Sequence, residues 1–221
     1  MLKIINKSIV LLFLNMVYCT SLKSQIKPEN EFWISSGITS ELLSVNATNV
    51  GNFKNRNRIG ASIGIERRHY FNESFNINYG IHIKSFRKSF VFKPNEVFIE
   101  DLNLCIPVLL NYHLKFNKHH FGNFSMGLNG VVYTAGKASY SSLDYEVKVE
   151  RRTGIFPNLV IGFGYKFLRK KSFEVNLLYN MGFFQRKVEI VSYVPSNSDV
   201  RLENNGSFIE LEFKFRINKS S

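Results

Sequence analysis

From residue 31 onward, apolar side chains recur at every second position, the period of a strand whose two faces meet different surroundings. The last segment is the clearest. Ile209, Leu211, Phe213, Phe215 and Ile217 share one face, while Glu210, Glu212, Lys214 and Arg216 share the other. Earlier, Phe173, Val175, Leu177, Tyr179, Met181 and Phe183 oppose Glu174, Asn176 and Asn180. Leu159, Ile161, Phe163, Tyr165 and Phe167 oppose Asn158, Gly162, Gly164 and Lys166. A longer run, from Leu102 through Leu104, Ile106, Val108, Leu110, Tyr112 and Leu114 to Phe116, keeps the same phase. Segments 32–40, 58–71, 75–87 and 121–135 behave alike, which predicts eight strands and no helix among them.

Strands of about 9 to 15 residues exceed the usual soluble length of five or six and suit a tilted crossing of a bilayer. Periodicity does not say which face is inside, but bulk does. The apolar stripes carry large Phe, Tyr, Leu and Ile, too bulky to fill an eight-stranded interior. Gly60, Gly64, Gly80, Gly127, Gly162, Gly164 and Gly182 sit on the opposite face, where a narrow lumen needs small residues. A lipocalin-like soluble barrel would reverse this, with charges in water and apolar residues within. Links alternate: 72–74, 117–119 and 169–171 are tight, while 41–57, 88–99, 136–153 and 186–205 are long. Short periplasmic turns alternating with long outer loops are the pattern of outer-membrane barrels. The expected fold is all-β, an eight-stranded antiparallel up-and-down transmembrane β-barrel with long extracellular hairpins.

The first residues do not follow this pattern. Lys3 and Lys7 precede the apolar stretch Ile9–Leu14, and no acidic residue occurs before Glu29. A basic start, an apolar core and small polar residues read as a secretory signal peptide. Residues 1–24 are assigned to it and 25–221 to the barrel, which places the protein in a bacterial outer membrane. Cleavage after Ser24 would remove three lysines and lower the net charge from +12 to +9. Cys105 would then be the only thiol, which excludes an internal disulfide and a cysteine zinc site.

Within the fourth segment, Leu104-Cys105-Ile106-Pro107-Val108-Leu109-Leu110-Asn111-Tyr112 resembles the signature of the PorT-like outer-membrane β-barrel family, with Leu104, Ile106, Pro107 and Tyr112 as its matching positions. Gly127-Leu-Asn-Gly130 and Gly162-Phe-Gly164-Tyr165 resemble that family's glycine-containing strands. The sequence departs at Cys105 and Asn111, where the family often has Glu and a basic residue. The resemblance implies a membrane barrel and, through the family's founding member, a link to protein secretion. Pro107 has no backbone donor for a ladder, so a bulge or local kink is expected near 105–108.

Glu66, Lys84, Lys166, Glu174, Glu210, Glu212, Lys214 and Arg216 point inward by phase. They read as a structural charge network filling the lumen, with a charged pore as the competing reading. The phase is well determined, because each Arg or Lys turned to the bilayer midplane costs roughly 2–4 kcal/mol. Arg67, Arg68, Lys115, Lys118 and Arg169-Lys-Lys171 are expected at the periplasmic rim, against lipid phosphates. Of the histidines, His69, His113, His119 and His120 lie toward periplasmic ends and only His82 is at mid-barrel. None reaches the outer mouth, so no catalytic, cofactor or metal residues are assigned. The charges ring strand ends rather than a groove, which argues against nucleic acid. Outer-membrane lipids are the expected partners, with a protein partner at the extracellular hairpins. There Phe90, Phe92, Val97, Ile99, Tyr145, Val147, Val149, Val188, Ile190 and Tyr193 continue the alternation and are expected to be exposed, with packing of the hairpins on one another as the competing reading. The overall reading is a non-catalytic anchor or interaction scaffold, with a narrow solute channel or a soluble lipocalin-like exported binder as the alternatives.

Overall fold

The period-two segments pair into one closed ring. The computed structural model describes residues 30–42, 44–47, 53–92, 95–140, 145–151, 153–168, 172–183, 187–193 and 198–217, so the signal-peptide segment and the 169–171 turn lie outside it. The strands are β1 (Asn30–Glu41), β2 (Ser44–Ala47), β3 (Phe53–Arg58), β4 (Gly60–Tyr70), β5 (Phe75–Phe92), β6 (Asn95–Lys115) and β7 (His120–Tyr140). They continue as β8 (Tyr145–Arg151), β9 (Phe156–Phe167), β10 (Phe173–Gly182), β11 (Lys187–Tyr193), β12 (Ser198–Asn204) and β13 (Phe208–Arg216).

Eight of them run β5-β4-β1-β13-β10-β9-β7-β6, and β6 returns to β5 to close the barrel. All neighbours are antiparallel, and closure leaves no free edge in the wall. The wall is apolar outside: Ile63 and Ile65 are 61% exposed and Phe163 64%. Their inward neighbours Glu66, Glu174 and Glu210 are at most 1% exposed. A soluble barrel would hide the isoleucines and wet the glutamates, so the lipocalin-like alternative falls.

Above the wall the ring splits. β3 pairs with the far end of β5, and with β6 and β7 they form a four-stranded extension, β3-β5-β6-β7. The other half makes a separate sheet, β2-β12-β11-β8, from segments that follow or precede β1, β13, β10 and β9 in the chain. Two junctions between them carry glycines at positive φ, Gly154 (132°) before β9 and Gly206 (74°) before β13, a conformation that strains a side chain with a Cβ. The two halves together are called the crown below.

Two tight turns share one chemistry. The Asn72 side-chain oxygen accepts from the amides of Ser74 and Phe75, both at 2.9 Å. The Asn117 oxygen accepts from those of His119 (2.9 Å) and His120 (3.1 Å).

The structure corrects three expectations. Pro107 makes no bulge. The β5–β6 register is the same at Tyr79↔Val108 and His82↔Cys105, and the ladder merely omits the pairs between them. The register shift lies instead between Leu102 and Asn103, where Thr134 is the extra residue of β7 and its hydroxyl donates to the Leu102 carbonyl at 2.8 Å. Arg68 leaves the rim: it keeps the inward phase of Glu66 and is fully buried. Phe90, Val97 and Ile99 are 0–2% exposed, not displayed, because alternation carries the inward face above the wall and packs it. The side chains of Phe92, Tyr145, Val147, Val149, Val188 and Tyr193 lie outside the described residues.

Candidate functional site

Inside the barrel, cross-strand register alternates long charged residues with small ones. One row of hydrogen-bonded neighbours reads Lys214–Ser35–Gly64–His82, and the next reads Glu212–Gly37–Ser62–Lys84. Each small residue leaves space for side chains from both sides. At Gly64 an added Cβ would stand 2.5 Å from the His82 ring carbon Cγ, and at Gly80 it would stand 3.0 Å from Glu66 Cγ. Gly64 is thus shaped around the His82 ring, while at Gly80 the Ile65 carbonyl is met before the Glu66 side chain.

Three groups of charges result. Arg68 donates to Glu174 through two nitrogens, at 2.9 and 3.3 Å, and its guanidinium lies 4.4 Å from the Trp33 ring centroid. Asn123 also donates to Glu174, at 3.0 Å, and Lys166 Nζ lies 5.5 Å from the Trp33 ring centroid. Toward the periplasmic end, Glu31 accepts from Arg216 (2.8 Å), Tyr70 (2.9 Å) and Trp33 Nε1 (3.0 Å). In the third group, Lys84 donates to Glu210, which also accepts from Ser62 at 2.7 Å. Nearby, Lys214 stands 2.9 Å from Glu66 Oε2 and 3.0 Å from Glu212 Oε2. His82 lies between those two carboxylates, Nε2 at 3.0 Å from Glu66 Oε1 and Nδ1 at 3.8 Å from Glu212 Oε1.

All eight residues of the expected lumen network therefore find partners inside the barrel, although not in one cluster: Arg216, Lys166 and Glu174 are grouped apart from Lys84 and Glu210. Trp33, Glu31, Arg68, Tyr70 and His82 also belong to these groups. Strand parity signals Arg68 through Glu66 and Glu31 through Trp33. An asparagine ladder, with Asn111 donating to Asn76 at 2.8 Å and Asn129 to Asn180 at 2.9 Å, fills further lumen space. The interior is not uniformly polar. Leu109, Val160 and Leu178 form an inward apolar cluster, and at the base of the crown the Phe86 and Phe208 rings meet at 5.0 Å. Lys88 is held there between Glu41 (3.3 Å) and Asp101 (3.5 Å).

Of the motif positions, Ile106 and Tyr112 face outward, Leu104 is half-buried, and Pro107 is buried on the inner side. Tyr112 packs its ring on Phe75 at 4.9 Å. At the periplasmic end Arg67, Lys115 and Lys118 are exposed.

No family model and no curated protein sequence matches the chain. Among solved structures, the outer membrane protein OprG from Pseudomonas aeruginosa aligns with a TM-score of 0.55 at 10% identity, over 89% of this chain and 100% of its own. Neisserial surface protein A aligns at 0.42 and 11% identity, over 86% of this chain and 99% of its own. Ail, the attachment invasion locus protein of Yersinia pestis, aligns at 0.36 and 14%, over 86% and 99%. The likeness to OprG is one of fold, an eight-stranded outer-membrane barrel. With an apolar outer wall and a polar, buried interior, the protein resides in the bacterial outer membrane, in contact with its lipids.

Proposed function

We propose that the protein is a non-catalytic outer-membrane anchor with a sealed lumen, and that its crown is the scaffold on which a protein partner docks. One observation carries this reading: Glu66, Glu174, Glu210, Glu212 and Lys214 are 0–1% exposed although they line the lumen. Side chains along an open pore are wet, and these are not. Their ion pairs span opposite parts of the wall, so opening a path would strip partners from several buried charges at once. The crown has what the wall lacks, strand edges. Residues 135–137 of β7, beyond the last β9 partner, pair with β6 alone among the described residues and are exposed. Such an edge offers backbone donors and acceptors to an added strand. The PorT-like resemblance supports a partner belonging to protein secretion.

Purified protein in planar bilayers is expected to give no long-lived conductance. Porin-like steps would overturn the sealed-lumen reading and favour a narrow channel. Replacing residues 88–97 by a short Gly-Ser loop should preserve insertion, read as a heat-dependent gel shift, and abolish crosslinking to the partner. Deletion of the gene should lower the protein released into the medium; unchanged release would remove the secretion link.

A further inference from the structure

The region between Glu66, His82 and Glu212 is oversupplied with acceptors. One ligand atom from each lies within 4.8 Å of the others, and all three residues are buried. Lys214 and Asn78 serve only Oε2 of Glu66, from 2.9 and 3.0 Å, and leave Oε1 without a hydrogen-bond donor. Both carboxylate oxygens of Glu212 and both ring nitrogens of His82 also lack a hydrogen bond, although Lys214 and His82 stand within ion-pair distance of the carboxylates. Five buried polar atoms thus stand together without a hydrogen bond, and a neutral imidazole brings a single N–H to the group. Buried polar atoms are almost always satisfied, and a bound ion is one established reason for an exception.

We infer that Glu66, His82 and Glu212 form a binding site for one divalent transition-metal ion, of the zinc class, inside the barrel. The donor set is one imidazole and two carboxylates, which suits zinc better than the all-oxygen shells of calcium or magnesium. Ligand atoms about 2.1 Å from a common zinc stand roughly 3.0–3.4 Å apart; the 3.0 Å between His82 Nε2 and Glu66 Oε1 meets that spacing, while Glu212 Oε1, 3.8 Å from Nδ1, must swing toward Nε2 to complete the set. Lys214 donates to Glu66 Oε2 and stands 3.0 Å from Glu212 Oε2, as an outer partner does in metal sites. Gly64 and Gly80 keep clear the space that His82 and Glu66 occupy. The three ligands come from β4, β5 and β13, so an ion would tie the C-terminal strand to the opposite side of β1.

The site is buried, so the test refolds the full, tag-free chain into detergent micelles with zinc present and then dialyses away free ion. The expected result is one zinc per chain by mass spectrometry, at least tenfold less in His82→Ala and in Glu212→Gln, and a zinc-dependent rise in unfolding temperature in the wild type alone. Cobalt(II) substituted for zinc should give a visible absorption band that His82→Ala abolishes. Glu212→Gln keeps the shape of the side chain, so it reports on binding if His82→Ala fails to show the heat-dependent gel shift of a folded barrel. Retention of no zinc by the wild type, or equal retention by the wild type and a folded variant, would overturn the site.

Discussion

The wall and the crown are built from the same strands with the same alternation, yet the alternation has opposite consequences in each. In the wall, Ile63 and Ile65 face lipid and Glu66 is enclosed. A few residues higher on β5, the enclosed face carries Phe86 and Phe90, and Arg87 faces out to pair with Glu100 at 2.9 Å. Where lipid surrounds the ring, burying charge inside requires partners for each one. Where water surrounds it, the inside takes in large apolar rings, with Lys88 enclosed among them between Glu41 and Asp101. The solvent, not the strand, decides which side is filled with what. It also decides closure: open edges are intolerable in hydrocarbon and tolerable above it, so the ring is complete in the wall and divided in the crown.

The largest effect should come from breaking a wall charge pair. Arg68→Ala leaves Glu174 buried without its main partner and should destabilise the barrel by about 3–5 kcal/mol, measured by denaturant unfolding from lipid vesicles. If the loss is under about 1 kcal/mol, the pairs are not what holds the lumen. Next, Ile65→Arg places a charge on the lipid face and should cost roughly 2–4 kcal/mol in the same assay. A smaller loss, about 1–3 kcal/mol, is expected for Gly64→Ala, where the new methyl group overpacks the His82 ring. The smallest belongs to the crown. Thr134→Arg, at an exposed bulge, should stay within about 0.5 kcal/mol of the wild type. A cost there comparable to that of Ile65→Arg would show that the membrane reaches the crown, and the comparison would have to be redrawn.

Most of the wall was legible in the sequence, because period two and side-chain size together specify which residues meet lipid. The inward phase of Glu66 also carried Arg68 with it, and only the adjacent Arg67 made the pair look like a rim. The crown was less legible. Alternation alone cannot register a change of surroundings, so Phe90 looked like an exposed anchor when it is a core residue. The meeting of His82 with Glu212 was beyond reach for a different reason. It depends on the stagger between β5, β4, β1 and β13, a property of the closed ring that no single segment encodes. Pro107 was recognised as a gap in the ladder, but the gap is absorbed without changing register, and the bulge arises where β7 has a residue to spare.

The pairing of β1 with β13, sealed at the periplasmic end by the Ile217 amide donating to the Phe32 carbonyl at 2.9 Å, has a consequence for how the barrel could be rearranged. In a ring every strand has two neighbours, so which strand comes first is a matter of connectivity and not of energy. Both β1 and β13 have their loose ends on the same side as the turn at 72–74. A chain cut within that turn and joined through a short linker from 217 to 30 would start at β5, finish at β4 and keep every rung of the ladder, including the three strands that bring Glu66, His82 and Glu212 together. The order in which the strands are synthesised would change, and the finished cylinder would not.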